Sequence, residues 1–171
     1  MSMKKIMLLA LPAMLITSIT WAQKASPATE ASGKVNGANI TIKYSAPSVR
    51  SRTIWGGLVP YDKVWRAGAN EATIFETDKD IQVDGKALHA GKYSLYAIPG
   101  QKEWTIIFNS ATGQWGVTRG GETTEDPAKD VLRVKAKPVK VAAMQEKLSY
   151  DIMPKGFALR WENLEVPVSI K

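Results

Sequence analysis

The chain contains no cysteine and a single histidine, His89. The first absence removes disulfides and thiolate ligands, so the fold must be held by burial alone, and it excludes a lipid anchor on a processed N-terminal cysteine. The second removes most of the means for a Ser-His-Asp triad or a zinc site, both of which lean on histidine or cysteine. His89 sits in "KALHAGKY", beside a turn, where a solvent-facing loop side chain is the ordinary reading. Long runs of like charge are missing as well: 23 basic and 16 acidic residues are interspersed. That balance favours solubility and a mild preference for anionic partners, and lacks the clustered basic face of a nucleic-acid binder. No cofactor motif is present.

One strongly apolar run exists, at the start. In "MSMKKIMLLALPAMLITSITWAQ", Lys4 and Lys5 precede an apolar stretch from Ile6 to about Thr20, and Thr20 and Ala22 provide small residues at the −3 and −1 positions. This is the pattern of a signal peptide over residues 1–22. Pro12 and several hydroxyl residues interrupt the run, which is shorter than the roughly 20 residues a membrane span needs. The sequence therefore predicts export to the periplasm or beyond, with no stable membrane anchor after cleavage. Removing 22 of the 171 residues leaves 149, residues 23–171, a size for one domain, with 21 basic against 16 acidic residues.

Beyond a polar tail, apolar residues recur with period two, as in strands with one buried face. Ile40, Ile42 and Tyr44 alternate with Thr41 and Lys43. Tyr93, Leu95 and Ala97 alternate with Lys92, Ser94 and Tyr96, and Trp104, Ile106 and Phe108 with Glu103, Thr105 and Ile107. Leu132 and Val134, then Leu148, Tyr150 and Ile152, then Phe157, Leu159 and Trp161, repeat the pattern; Leu164, Val166, Val168 and Ile170 close it. Pro167, unable to donate to a ladder, marks the last strand as an edge or as one that carries its proline N on the open side. Asn36-Gly37, Asp84-Gly85 and Pro99-Gly100 supply hairpin turns between runs. Roughly nine strands without a helix long enough to cover a sheet predict an all-β domain, an antiparallel β-sandwich or flattened barrel. At most one short helix fits, around Pro60 to Arg66.

The densest group of unusual residues is "RSRTIWGGLVPYDKVWRAGANEAT", Arg50 to Thr73. Arginine offers a planar fork for carboxylate or phosphate, and tryptophan a flat face with one polar edge. Arg52, Trp55, Trp65, Arg66, Asn70, Glu71 and Thr73 are the candidate ligand-binding residues here, with Arg66 and Glu71 expected to form an ion pair. Gln114 and Trp115, in the long irregular segment Ser110 to Lys129, join them if that loop folds over Trp65 to Thr73, so that Arg66, Glu71 and Trp115 share one cavity. In the same loop Glu122, Glu125, Asp126 and Asp130 read as a solvated acidic stretch, with a hard cation such as calcium as the alternative. No metal site is assigned.

"RTIWGGLVPYDKVWRAGANEAT", followed by "GKYSLYAIPGQKEWTIIFN", "QWG" and "DVLRVK", resembles the bacterial domain of unknown function 2911 family, found largely in exported proteins of the Bacteroidetes. The resemblance covers about Ser45 to Lys137. Its motif residues fall on Arg52, Gly56, Gly57, Pro60, Trp65, Arg66, Gly68, Asn70, Glu71 and Thr73, and further on Tyr93, Pro99, Trp104, Gln114, Trp115 and Gly116. The resemblance implies an exported single-domain protein without an assigned activity. One departure is visible: in the family a tyrosine and an aspartate often follow QWG, where this chain has "VTRGGETTEDPAK". Any task of that tyrosine is vacant or relocated here.

Three functions fit these residues. The first is a binding or accessory domain for a small polar ligand, anionic or carbohydrate-like. The second is a histidine-independent enzyme in which Glu71 is the catalytic acid or base and Arg66 positions it. The third is a structural envelope protein whose polar cluster only locks the fold.

Overall fold

A computed structural model describes residues 25–171; the predicted signal peptide lies outside them. Ten strands form: β1 (Ala28–Val35), β2 (Ala38–Ser45), β3 (Ala69–Thr77), β4 (Ile81–Val83), β5 (Lys86–Leu88), β6 (Gly91–Ile98), β7 (Trp104–Asn109), β8 (Asp130–Ala136), β9 (Val139–Met153) and β10 (Gly156–Ser169). Six make one sheet in the order β1-β2-β3-β6-β7-β8, all neighbours antiparallel. The long β9–β10 hairpin lies over it, and the sheets do not close into a barrel, so the fold is a β-sandwich.

The alternation in the sequence sets the layers. Ile40, Ile42, Phe75, Leu95, Ile106, Phe108 and Val134 point inward from the large sheet and meet Leu148, Tyr150, Phe157, Leu159 and Trp161 of the hairpin. Asn36 and Gly37 turn the chain with φ of 48° and 86°, and Asp84 and Gly85 with 48° and 77°, the left-handed pairs that two-residue hairpins require. Pro167 stands exposed on β10, which pairs only with β9 in its sheet.

Two expectations are corrected. Pro60 to Arg66 forms no helix: Asp62 adopts φ of 60°, and the N–H groups of Asp62 and Trp65 donate to Pro99 and Ala97 carbonyls, tying the segment to the end of β6. The one helical turn among the described residues is the 3-10 turn Pro127–Lys129, opened by the Asp126 side chain accepting from the Ala128 N–H. Tyr96 and Ile107, which alternation assigns to the solvent face, are fully buried with Ala72 on the outer face of the sheet. The reason is tertiary. Val64 packs there, and the loop after β7 covers Tyr96, whose hydroxyl accepts from Gln114 Nε2 at 2.8 Å.

Candidate functional site

Between the end of β2 and the start of β3 the chain makes a sharp crank. Ala67 and Asn70 both occupy the left-handed region, with φ of 54° and 59°, which costs an L-residue about 1 kcal/mol each. Hydrogen bonds hold the crank: the Ala67 carbonyl accepts from Thr73 Oγ1 at 3.0 Å and from the Tyr150 hydroxyl at 2.8 Å, and Trp65 Nε1 donates to the Gly68 carbonyl. Thr73 is thus wholly buried and structural. Burial pushes the Tyr150 phenol well above its ordinary range, so it stays a neutral donor.

The crank sets Arg66 into a cleft of about 360 Å³, with Arg52, Leu58, Trp65, Asn70 and Trp161 among its walls. None of the lining residues is acidic. Arg66 is half-buried, its Nε has no hydrogen-bond partner, and burial alone acts on the guanidinium, pulling it below the usual arginine range. Arg52 is anchored differently: Nε donates to the Val49 carbonyl at 3.1 Å and Nη2 to that of Ser48 at 2.6 Å. Asn70 Nδ2 donates to the Ser26 carbonyl, which leaves its Oδ1 uncommitted.

The expected Arg66–Glu71 ion pair is absent. Successive residues of β3 face opposite sides, and the left-handed turn at Asn70 sends Glu71 outward, exposed, into a separate cleft beside Lys43 and Glu30. Nor do Arg66, Glu71 and Trp115 share a cavity. The loop after β7 does lie along the crank: the Ala72 N–H donates to the Gln114 carbonyl and the Gly116 N–H to that of Asn70. Backbone forms these contacts, however, and Trp115 is 50% exposed and lines neither cleft. Gln114 is a fastener, its amide bound to Tyr96, Ser94 and the Ala111 carbonyl. Gly116 presses on Arg66: a Cβ there would fall within 2.9 Å of Arg66 Cβ, Cγ and Cδ.

Behind the cleft stands a tryptophan cluster that residue-by-residue reading missed. Trp65 stacks on Trp161 at 6.0 Å and 16°, and Trp55 meets Trp65, Trp104 and Trp161 edge-on at 4.9–5.9 Å. Trp104 and Trp161 read from sequence only as inward strand residues, and only the packing of the β9–β10 hairpin over the large sheet brings them into one cluster. The indole N–H groups of Trp55, Trp104 and Trp161 are buried without a partner among the described residues.

The remaining titratable candidates are structural. His89 Nδ1 lies 3.1 Å from Asp80 Oδ2 in an exposed turn. Glu125, its side chain only 3% exposed, meets Arg133 Nη2 at 2.9 Å, and Asp130 Oδ2 accepts from Arg133 Nε at 2.7 Å, fastening the loop to β8. Among the described residues no group of three acidic or histidine side chains is placed to hold a metal ion.

Fold and site together define a small antiparallel β-sandwich protein with a basic, tryptophan-walled cleft at one end. The chain belongs to the family described as Protein of unknown function (DUF2911), whose family model matches residues 26–170. No curated protein and no solved structure matches it.

Proposed function

We propose that this is an exported binding protein for a small organic anion, a carboxylate or phosphate ester held in the Arg52–Arg66 cleft. One observation carries the reading: two arginines line the cleft, no acidic residue does, and Arg66 makes no ion pair among the described residues. A half-buried cation without a counter-charge is destabilising, and an anionic ligand would supply both the missing charge and acceptors for the guanidinium fork. Trp65, Leu58 and Trp161 add apolar surface to the lining, suited to the body of such a ligand. The charged start and small-residue cleavage pattern of the leader support export.

The test is a thermal-shift and calorimetric titration of the purified protein with phenyl phosphate, benzoate and citrate, and with the uncharged benzamide. At least one anion is expected to bind while benzamide does not. Arg66→Met, which keeps an unbranched stem under Gly116, is expected to weaken that anion roughly 10- to 100-fold, the equivalent of one lost charge-assisted bond of about 1.5–3 kcal/mol. The unliganded variant is expected to melt no lower than the wild type, because an unpaired charge has gone. Wild-type affinity in Arg66→Met, or the absence of binding by any of the three anions, refutes the reading.

A further inference from the structure

The tryptophan cluster has a second side. Trp55 also lines a separate cleft of about 430 Å³, together with Tyr61, Gln101, Lys140, Glu162 and Asn163, a volume within the roughly 300–1,000 Å³ range of ligand sites. Its chemistry differs from that of the arginine cleft. Lys140 and Glu162 balance in formal charge, and neither forms an ion pair among the described residues, since the neighbouring Arg160 is taken up by Asp151 and Glu165. The side chains therefore offer donors and acceptors of both kinds around two aromatic rings, with no net charge to select an ion.

The backbone is bent to make this arrangement. Glu162 is held in the left-handed region at φ of 54°, a conformation that costs a glutamate about 1 kcal/mol or more. It stands between two register shifts: Arg160 pairs with Ser149, Glu162 with Gln145 and Leu164 with Lys140, so that β9 spends extra residues against β10 on either side. Bulges of this kind re-aim side chains, and here they border the cleft. The aromatic wall is likewise prepared. Gly56, at φ of 79°, has no side chain to meet Tyr61, whose Cε2 would lie 2.8 Å from a Cβ, so the Tyr61 ring seats against bare backbone. The Asn163 amide is oriented toward the Val141 carbonyl at 3.4 Å, leaving its Oδ1 uncommitted.

We infer that the Trp55–Tyr61–Glu162 cleft is a second binding site, for a neutral saccharide, distinct from the anion cleft. Sugars present alternating apolar C–H faces and hydroxyls that both donate and accept, which matches two aromatic rings flanked by an amide pair, a carboxylate and an ammonium group. The inference does not depend on what the arginine cleft binds.

The experiment titrates the purified protein with maltohexaose, cellohexaose, xylohexaose and chitohexaose, followed by calorimetry and tryptophan fluorescence. At least one is expected to bind saturably. Tyr61→Ala and Glu162→Gly are each expected to weaken that sugar roughly tenfold or more. Glu162→Gly removes the carboxylate yet suits the backbone, so it is expected to melt at or above the wild-type temperature, and its loss of binding cannot come from misfolding. Arg66→Met is expected to leave the sugar affinity unchanged. Failure of all four sugars to bind, wild-type affinity in Glu162→Gly, or a parallel loss in Arg66→Met overturns the inference.

Discussion

The crank that presents Arg66 depends on one carbonyl, and that dependence can be measured. Ala67 is buried, and its oxygen accepts from Thr73 Oγ1 at 3.0 Å and from the Tyr150 hydroxyl at 2.8 Å. Tyr150→Phe removes one donor and keeps the ring; Thr73→Val removes the other and nearly keeps the volume. In each single variant the carbonyl retains a partner, so the expected cost is that of one net hydrogen bond, about 1 kcal/mol. For a domain of this size that is a fall in melting temperature of about 2–4 °C. In the double variant the carbonyl is left bare inside the protein, which adds a desolvation penalty of about 1–3 kcal/mol beyond the two single losses. The double variant should therefore be less stable by about 3–5 kcal/mol, with a coupling energy of about 1–3 kcal/mol between the two sites. Urea unfolding of the four proteins, with unchanged slopes, gives the cycle directly. Additivity within about 0.5 kcal/mol would refute the shared-acceptor account. Because burial holds the Tyr150 phenol far above its ordinary range, the Tyr150→Phe cost should also be flat from about pH 5 to 9.

Gly116→Ala would drive a methyl group into the Arg66 stem, and is expected to cost about 1–3 kcal/mol by urea unfolding and to weaken the anion that Arg66→Met also weakens. The fastening of the long loop should depend on pH. Burial, and then the charge of Asp130, raises the Glu125 carboxyl above its ordinary 4.5, against the opposing pull of Arg133. A raised carboxyl holds its proton longer in the folded state than in the unfolded one, so its contribution is fully present below 4.5 and is lost as pH climbs through the folded value. Relative to Glu125→Gln, which mimics the protonated form, wild-type melting temperature should therefore decline as pH rises above 4.5; a constant difference would contradict the sign.

The layers of the sandwich were legible because a period of two is local. Ile40, Ile42 and Tyr44, or Phe157, Leu159 and Trp161, declare their buried face without reference to anything else, and Asn36-Gly37 and Asp84-Gly85 declare their turns. Tyr96 and Ile107 were misread on the same logic, since alternation cannot see a loop that returns to cover the outer face. The candidate residues were partly legible for a different reason: Arg52, Trp65, Arg66 and Asn70 lie close enough in sequence for one crank to gather them. Trp161 was not, because it arrives from β10, almost a hundred residues away. The Arg66–Glu71 pair failed on a backbone detail. Opposite charges five residues apart look like partners, but a left-handed Asn70 between them, at φ of 59°, reverses the direction in which the second one points.

That failure bears on how the polar cluster should be understood. Had Arg66 and Glu71 paired, the cluster would have been self-sufficient, a costly but closed ionic lock, and a structural role would have accounted for it. As folded, the aliphatic stem of Arg66 packs under Gly116, which any long side chain could do, while the guanidinium ends in a cleft without acids and with its Nε unpartnered. The stem contributes to stability; the head detracts from it. A methionine would serve the fold better at this position, so the fold alone gives no reason for the charge. On the proposed reading, the charge serves an anion that enters the cleft and supplies what Glu71 does not.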